Sequence, residues 1–330
     1  MLLAGDIGGT KVSLALFEEK LQLQCIEEKT FHSRDFSDFS SLLHHFLAPF
    51  PHISISRAGF GVAGPVQDGV CRATNLPWTL SAEELQYQCK IPHVFLLNDL
   101  EASGWGLQFL SPSKYVTLNE GKKIQGNRVL ISAGTGLGEA GLFWNTKIHQ
   151  PIATEGGHTD FAPCNEEQME LFSYLYKQYK HVSYERILSG FGLYQIYRFL
   201  VDTHKEQSDP EIEAISSKLE PQRLVIEKAL ENLSTACIHA VEIFVSIYGA
   251  EAGNLALKYL ARGGVYLGGG LAPRLLPFFK HGGFMSAFIA KGRFSSLMQD
   301  IPVHIILEDT TALFGAAHYA KLKTLHASDE

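Results

Sequence analysis

The sequence lacks any paired-cysteine motif. Its five cysteines, Cys25, Cys71, Cys89, Cys164 and Cys237, are scattered and odd in number, with no CxxC or CxC. That argues against a disulfide framework and a zinc knuckle, and for reduced thiols in a cytoplasmic protein. Basic charge is also short. Lys and Arg total 28 against 35 Asp and Glu, for a formal charge of -7. Non-specific nucleic-acid binding and anionic membrane surfaces both call for a basic face, so neither partner is expected. Long apolar runs are missing too. The stretch Cys237–Tyr248 is broken by His239 and Glu242, short of the roughly 18 unbroken apolar residues of a membrane span. Met1–Ala4 is apolar, but Asp6 and Lys11 follow at once, so no signal-peptide h-region is expected.

What is present is material for a core: 45% of 330 residues are hydrophobic, which suits two domains. Leu2–Ile7 reads as a buried strand, Gly8-Gly9-Thr10 as a turn, and Val12–Phe17 and Gln22–Glu27 as further strands. Phe36–Leu47 has helical spacing and is stopped by Pro49. Strands at Ala58–Val62 and Val94–Leu97, then a helix at Leu100–Leu107, complete an α/β pattern. A polar stretch, Ser111–Asn127, marks a boundary at its start, giving domains 1–110 and 111–300. Val129–Ala133, Gly134–Gly138 and Ala140–Trp144 then repeat the strand, glycine turn and strand of the N-terminus, a faint internal duplication. Asn165 caps an expected helix, Ser189–Val201 gives another, and Asp202–Arg223 reads as a solvated excursion. Leu224–Tyr248 reads as one long helix, Gly264–Leu267 as a strand, Ala272–Phe279 as a helix, Pro302–Leu307 as a strand and Thr311–Leu322 as a closing helix.

Five constellations carry chemistry. Asp6 at a strand end before Gly8, Gly9 and Thr10 suits a phosphate turn, with Asp6 placed to hold Mg²⁺ through water; an ordinary hairpin is the alternative. Gly134-Thr135-Gly136-Leu137-Gly138 departs from GxGxxG at Glu139 and runs into a strand. A dinucleotide fold requires a helix there, so a phosphate-binding hairpin fits better. Gly268-Gly269-Gly270 would let a flat adenine lie on the backbone, or would serve tight packing. Asn98-Asp99 ends an apolar strand, where Asp99 suits a general base or a helix N-cap. Glu155, His158 and Glu185 supply the carboxylates and imidazole that read sugar hydroxyls; His158, Asp160 and Cys164 lack metal-ligand spacing.

In this order the motifs closely resemble the bacterial glucokinase family, within the sugar kinase/hexokinase/actin-like ATPase superfamily. The resemblance runs end to end. It includes Asp6–Thr10, Thr74-Asn75 with Trp78, Asn98-Asp99, Ala133–Gly138, Glu155–Ala162, His181–Gly190, Gly253–Leu257, Gly263–Gly270 with Pro273-Arg274, and Lys291–Phe294. It implies a two-domain, actin-like (ribonuclease H-like) α/β fold with a cleft between a small and a large domain, the small one completed by segment 301–330. It implies glucose ligands at Asn98, Asp99, Glu155, His158 and Glu185, with Asp99 as catalytic base. It implies ATP contacts at Asp6, Gly8, Gly9, Thr10, Gly134, Thr135, Gly136, Gly268, Gly269 and Gly270, with Mg²⁺ near Asp6 and no zinc. Phosphorylation of glucose at its 6-hydroxyl, the first step of glycolysis, by a cytoplasmic homodimer is the activity it implies. A kinase for another hexose or amino sugar is the nearer rival. A non-catalytic sugar sensor is the remoter one, since Asp6 leaves no room for an N-terminal DNA-binding motif. Lys11, where many of the family have Asn, and Phe191 depart from the pattern.

Overall fold

The computed structural model describes residues 1–20, 23–73, 76–215, 220–307 and 310–326. Gln22, Thr74 and Asn75, named above, lie outside the described residues. By internal contacts the chain divides into a first unit, Met1–Ser111 with Lys147–Ala153 and Thr310–Glu330, and a second, Pro112–Thr146 with Thr154–Asp309.

The first unit is built on strands β1 (Leu2–Ile7), β2 (Lys11–Glu19), β3 (Leu23–His32), β4 (Arg57–Val62) and β5 (His93–Asn98), in the order β3-β2-β1-β4-β5. β1 and β2 form an antiparallel hairpin, while β1, β4 and β5 run parallel, with Ile7, Val62 and Asn98 in one row. Buried strands of this kind need cover on both faces. Helix α1 (Phe39–Leu47) supplies Phe39, Leu42, Leu43 and Phe46 to one face. Helix α2 (Ala82–Cys89) adds Leu85 there. Helix α3 (Asp99–Gly106) and the C-terminal helix Thr311–His326 cover the other with Ala102, Trp105, Leu313, Ala316, Ala317 and Ala320.

The second unit holds β6 (Tyr115–Asn119), β7 (Arg128–Ala133), β8 (Leu137–Trp144), β9 (Gly264–Gly268) and β10 (Val303–Ile306), in the order β8-β7-β9-β10-β6. β7 and β8 form the antiparallel hairpin, and β7, β9 and β10 run parallel. The duplication expected from the two glycine turns is therefore present in the strand pairing of both units. Helices α4 (Glu166–Tyr179), α5 (Gly190–Asp202), α6 (Pro221–Leu230) and α7 (Thr235–Tyr259) build its core, with Tyr197, Phe199, Phe244 and Tyr248 fully buried.

Several boundaries need correction. Segment 301–330 does not act as one piece: Val303, His304 and Ile305 of β10 pair with β9, so only the part from Thr310 belongs to the first unit. The polar stretch Ser111–Asn127 contains β6, an edge strand pairing antiparallel with β10. Leu224–Tyr248 is two helices. The chain turns at Asn232, whose φ is 57°, and Ser234 caps α7 by accepting from the Cys237 amide. Both helices feed one core, so their apolar stripes run on and hide the break. Asp202–Arg223 is not merely solvated: Asp209 is buried, accepts from the Glu211 and Ile212 amides, and pairs with Lys228 at 3.2 Å. Ala272–Phe279 divides into two short helices, Leu271–Arg274 and Leu276–Lys280. By length and mean hydropathy α7 qualifies as a membrane span, since one window tolerates His239 and Glu242, yet 78% of that window is buried within the fold.

Candidate active site

Ligands of parallel α/β sheets bind beyond the carboxyl ends of the strands. In the first unit those ends gather two of the expected groups. The β1–β2 reversal is closed by the Gly8 amide donating to Lys11 O at 3.0 Å. Buried Ser33 holds the turn from behind: its hydroxyl donates to Gly9 O at 3.0 Å and its amide to Thr10 O at 3.1 Å. Nothing in the sequence marked Ser33, which lies more than 20 residues from the turn it braces.

Asn98 and Asp99 end the same row of strands. The N-cap of α3 is Asn98, not Asp99: the Asn98 Oδ1 accepts from Leu100 N at 2.9 Å and Glu101 N at 3.4 Å, and its Nδ2 donates to Gly64 O at 3.2 Å. Asn98 satisfies the exposed helix amides, so Asp99 is the first helical residue, its Oδ1 also accepting from Leu100 N at 2.8 Å. Asp6 sits half-buried at the end of β1, level with Gly61 of β4. A carboxylate beside a glycine turn at a strand end is a donor that fits Mg²⁺, which takes one or two carboxylates, substrate phosphates and several waters. Among the described residues no cluster of three or more His, Cys, Asp or Glu is arranged to hold a metal.

In the second unit, Gly134–Gly136 and Gly268–Gly270 lie at the ends of neighbouring strands, with Ser132 opposite Gly268. Gly269 has φ +75° and packs against Ala133 O and Ser132, so a side chain is excluded on both counts. A Cβ on Gly134 or Gly270 would meet nothing within 4 Å, so the backbone there is open to approach. The turn is tied down by the Gly134 amide to Gly136 O and by the Gly190 amide, at the start of α5, to Gly134 O, each 2.9 Å.

Glu185 connects this turn to the residues expected to read a sugar. Its Oε2 accepts from the Leu137 amide at 3.0 Å, and its Oε1 lies 3.9 Å from His158 Nδ1. A Cβ on Gly136 would collide with the same carboxylate, so glycine there admits Glu185. His158 ends a tight turn, Gly156–His158, whose N-cap is the exposed Glu155. Phe191, in the first turn of α5, is 47% exposed, and nothing in the structure explains it.

A pair of acidic residues lies beneath that turn. Glu139 in β8 and Glu251 in α7 are both buried, 1% and 0% exposed. Burial, and then the charge of Glu251, pushes the Glu139 carboxyl up to about 8. The folded chain thus keeps a proton that an unfolded chain releases near the ordinary glutamate value, about 4.3. Below that value both states hold it; as pH climbs toward 8 only the unfolded state lets it go, and stability falls. The thermal midpoint of the wild type should therefore drop between about pH 5 and about pH 8, and Glu139→Gln should flatten the drop in calorimetry.

Known proteins resemble the chain over nearly its whole length. The family described as Glucokinase matches residues 3–323. A glucokinase of Nostoc punctiforme is 38% identical over 96% of this chain and 98% of that protein. The crystal structure of a glucokinase from an Antarctic psychrotroph superposes with a TM-score of 0.83 at 28% identity, covering 97% of this chain and 98% of that one. That of the Balamuthia mandrillaris glucokinase in complex with glucose, at 21% identity and TM-score 0.80 over 97% and 93%, shares the fold. The α/β fold is thus of the actin-like ATPase type expected from the motifs. Two glycine turns at parallel strand ends, on a chain matched almost end to end, belong to a protein of the glucokinase family.

Proposed function

We propose that the protein transfers the γ-phosphoryl group of ATP to the 6-hydroxyl of glucose, with Asp99 as general base. The observation that carries this reading is Glu185, one carboxylate that accepts from the Leu137 amide, directly after the Gly134–Gly136 turn, and stands beside His158. A phosphate-type turn and a hydroxyl-reading pair are thereby built as one structure.

In this reading Asp99 takes the proton of the 6-hydroxyl as its oxygen attacks the γ-phosphorus and the bond to the β-phosphate oxygen breaks, leaving ADP. Asn98, Glu155, His158 and Glu185 orient the sugar. Gly8, Gly9 and Thr10, with Gly134, Thr135 and Gly136, present backbone and hydroxyl donors to the phosphates; Gly268–Gly270 receive the adenosine. Asp6 would hold Mg²⁺, which when bound neutralises charge on the β- and γ-oxygens. Positioning and preorganised donors carry most of the acceleration. A cytoplasmic homodimer feeding glycolysis, with no nucleic-acid or membrane partner, belongs to the same proposal.

The test is ADP release by the purified protein across glucose, mannose, fructose and N-acetylglucosamine. Glucose should lead in kcat/KM by about 10²-fold or more, because an unpaired polar group in a hydroxyl-reading site costs heavily. A different leading sugar would replace glucose as the substrate, and no ADP release with any sugar would leave a sensor. His158→Ala should raise the glucose KM about 10- to 100-fold, the worth of a charge-assisted hydrogen bond, and leave kcat within a few-fold.

A further inference from the structure

We propose that the buried Glu139 carboxyl keeps its proton in the working protein, and that this neutral acid, with the buried Glu251, is a positioning device holding the turn Thr154–His158 and the segment Tyr184–Glu185 in their sugar-reading arrangement. The inference rests on the assignment of Glu155, His158 and Glu185 to the sugar.

Contacts run from the pair to both segments. On one side, the Thr154 hydroxyl donates to the backbone carbonyl of Glu139 at 2.7 Å and the Gly156 amide donates to the Thr154 hydroxyl at 3.2 Å, ties that fix the turn over residue 139 whatever its side chain. Gly156 lies so close over the Glu139 carboxyl that a Cβ there would collide with it. On the other side, Asn254 Nδ2 donates to Glu251 Oε2 at 2.9 Å and to the Tyr184 hydroxyl at 3.1 Å. Tyr184 precedes Glu185 and is itself buried. Lys291 fixes the Asn254 amide by donating to Oδ1 at 2.6 Å and to Ala250 O at 2.8 Å, and Gly253 leaves the room for its stem. Gly253–Leu257 and Lys291–Phe294, motifs that the phosphoryl-transfer reading leaves without a role, thus acquire one.

Two bare carboxylates in this position would repel each other with almost no water to screen them. The facing groups are few. Lys258 lies 3.6 Å from Glu251 Oε1, on the same helix. Lys291 and Tyr184 face Glu251, Cys164 faces Lys291 and Tyr184, and Tyr248 faces Glu139. One proton leaves the pair with a single negative charge, which Lys258 balances. Loss of that proton adds a charge directly beneath Gly156, and the turn carrying His158 must move away.

The test is the pH dependence of the glucose KM. In the wild type the KM should rise about 5-fold or more between about pH 7 and about pH 9.5, with a midpoint set by the pair. Glu139→Ala, which removes the prop, should raise the KM about 10-fold at pH 7, and Glu139→Gln, which keeps the shape and a donor without a titrating proton, should restore it and flatten the alkaline rise. Glu251→Gln should flatten it as well, since either neutral member abolishes the repulsion, and this variant carries the test if Glu139→Ala does not fold. A Gln profile superimposed on that of the wild type, or a Glu139→Ala enzyme with unchanged glucose KM, overturns the proposal. An unchanged glucose KM in His158→Ala and Glu155→Ala would instead sink the sugar assignment beneath it.

Discussion

Replacing Asp99 with Asn should lower kcat for glucose by about 10²- to 10⁴-fold and leave the glucose KM within about 3-fold, the signature of a lost general base. The choice of Asn matters. Asp99 is the first residue of α3, and its Oδ1 accepts from the Leu100 amide at 2.8 Å. An Asn side chain keeps that acceptor and the shape, and loses only the ability to take a proton. The helix start is secured independently, because Asn98 caps it and also bonds Gly64. Asn98→Ala is the informative companion: it leaves the Glu101 amide without its acceptor and the Leu100 amide with Asp99 alone, at a cost of about 1 kcal/mol, and so loosens the carboxylate it precedes. Its effect should appear in the thermal midpoint and in kcat together, whereas Asp99→Asn should leave the midpoint within about 1 °C of wild type. Steady-state ADP release with circular dichroism melts separates the two. An Asp99→Asn enzyme turning over at near the wild-type rate would remove Asp99 from the chemistry.

That the sequence pointed to Asp6–Thr10 and Asn98-Asp99 follows from their local grammar. Buried strands with apolar alternation end at polar residues, and glycines punctuate the reversals, so strand ends are visible from neighbours alone. The repeat of that grammar at Val129–Trp144 likewise showed the duplicated hairpin. What stayed hidden is made by residues distant in the chain. Ser33 braces Gly9 from 24 residues away, and Glu185 reaches the Leu137 amide across 48. Periodicity carries no information about such pairs. Glu139 is the sharper case. In the sequence it only breaks a glycine pattern, yet in the fold it is a buried acid influenced by Glu251, a residue that lies past the expected end of the long helix at Tyr248 and that no expected element contained. The sequence offered Asp99 as the cap and the structure gives that place to Asn98, because both residue types cap well and only the geometry says which side-chain oxygen faces the free amides.

The other large effect lies at a residue with no assigned contact to substrate or nucleotide. Gly315→Val should destabilise the protein by about 3 kcal/mol or more and lower its thermal midpoint by roughly 5–10 °C. The C-terminal helix crosses α3 through two glycines. Gly315 lies against Ala102 O and the Gly106 amide of α3, and Gly106 lies against Thr311 O of the C-terminal helix. A Cβ at either position meets backbone rather than a flexible side chain, so the helices must separate. Separation exposes the apolar face that Ala102, Trp105, Leu313, Ala316 and Ala317 close, at about 25 cal/mol for each Å² returned to water. Gly59 of β4 takes the same helix against Ala316 O, so the sheet constrains which way it can retreat. Because α3 begins with Asp99, the displacement should also reach the chemistry: kcat should fall more than the KM for ATP rises when both are measured well below the melting temperature. Gly315→Ala should act in the same direction and more weakly. A Gly315→Val protein that melts with the wild type would show that the two helices are not locked together at these glycines, and that the carboxyl end of the chain plays no part in holding Asp99.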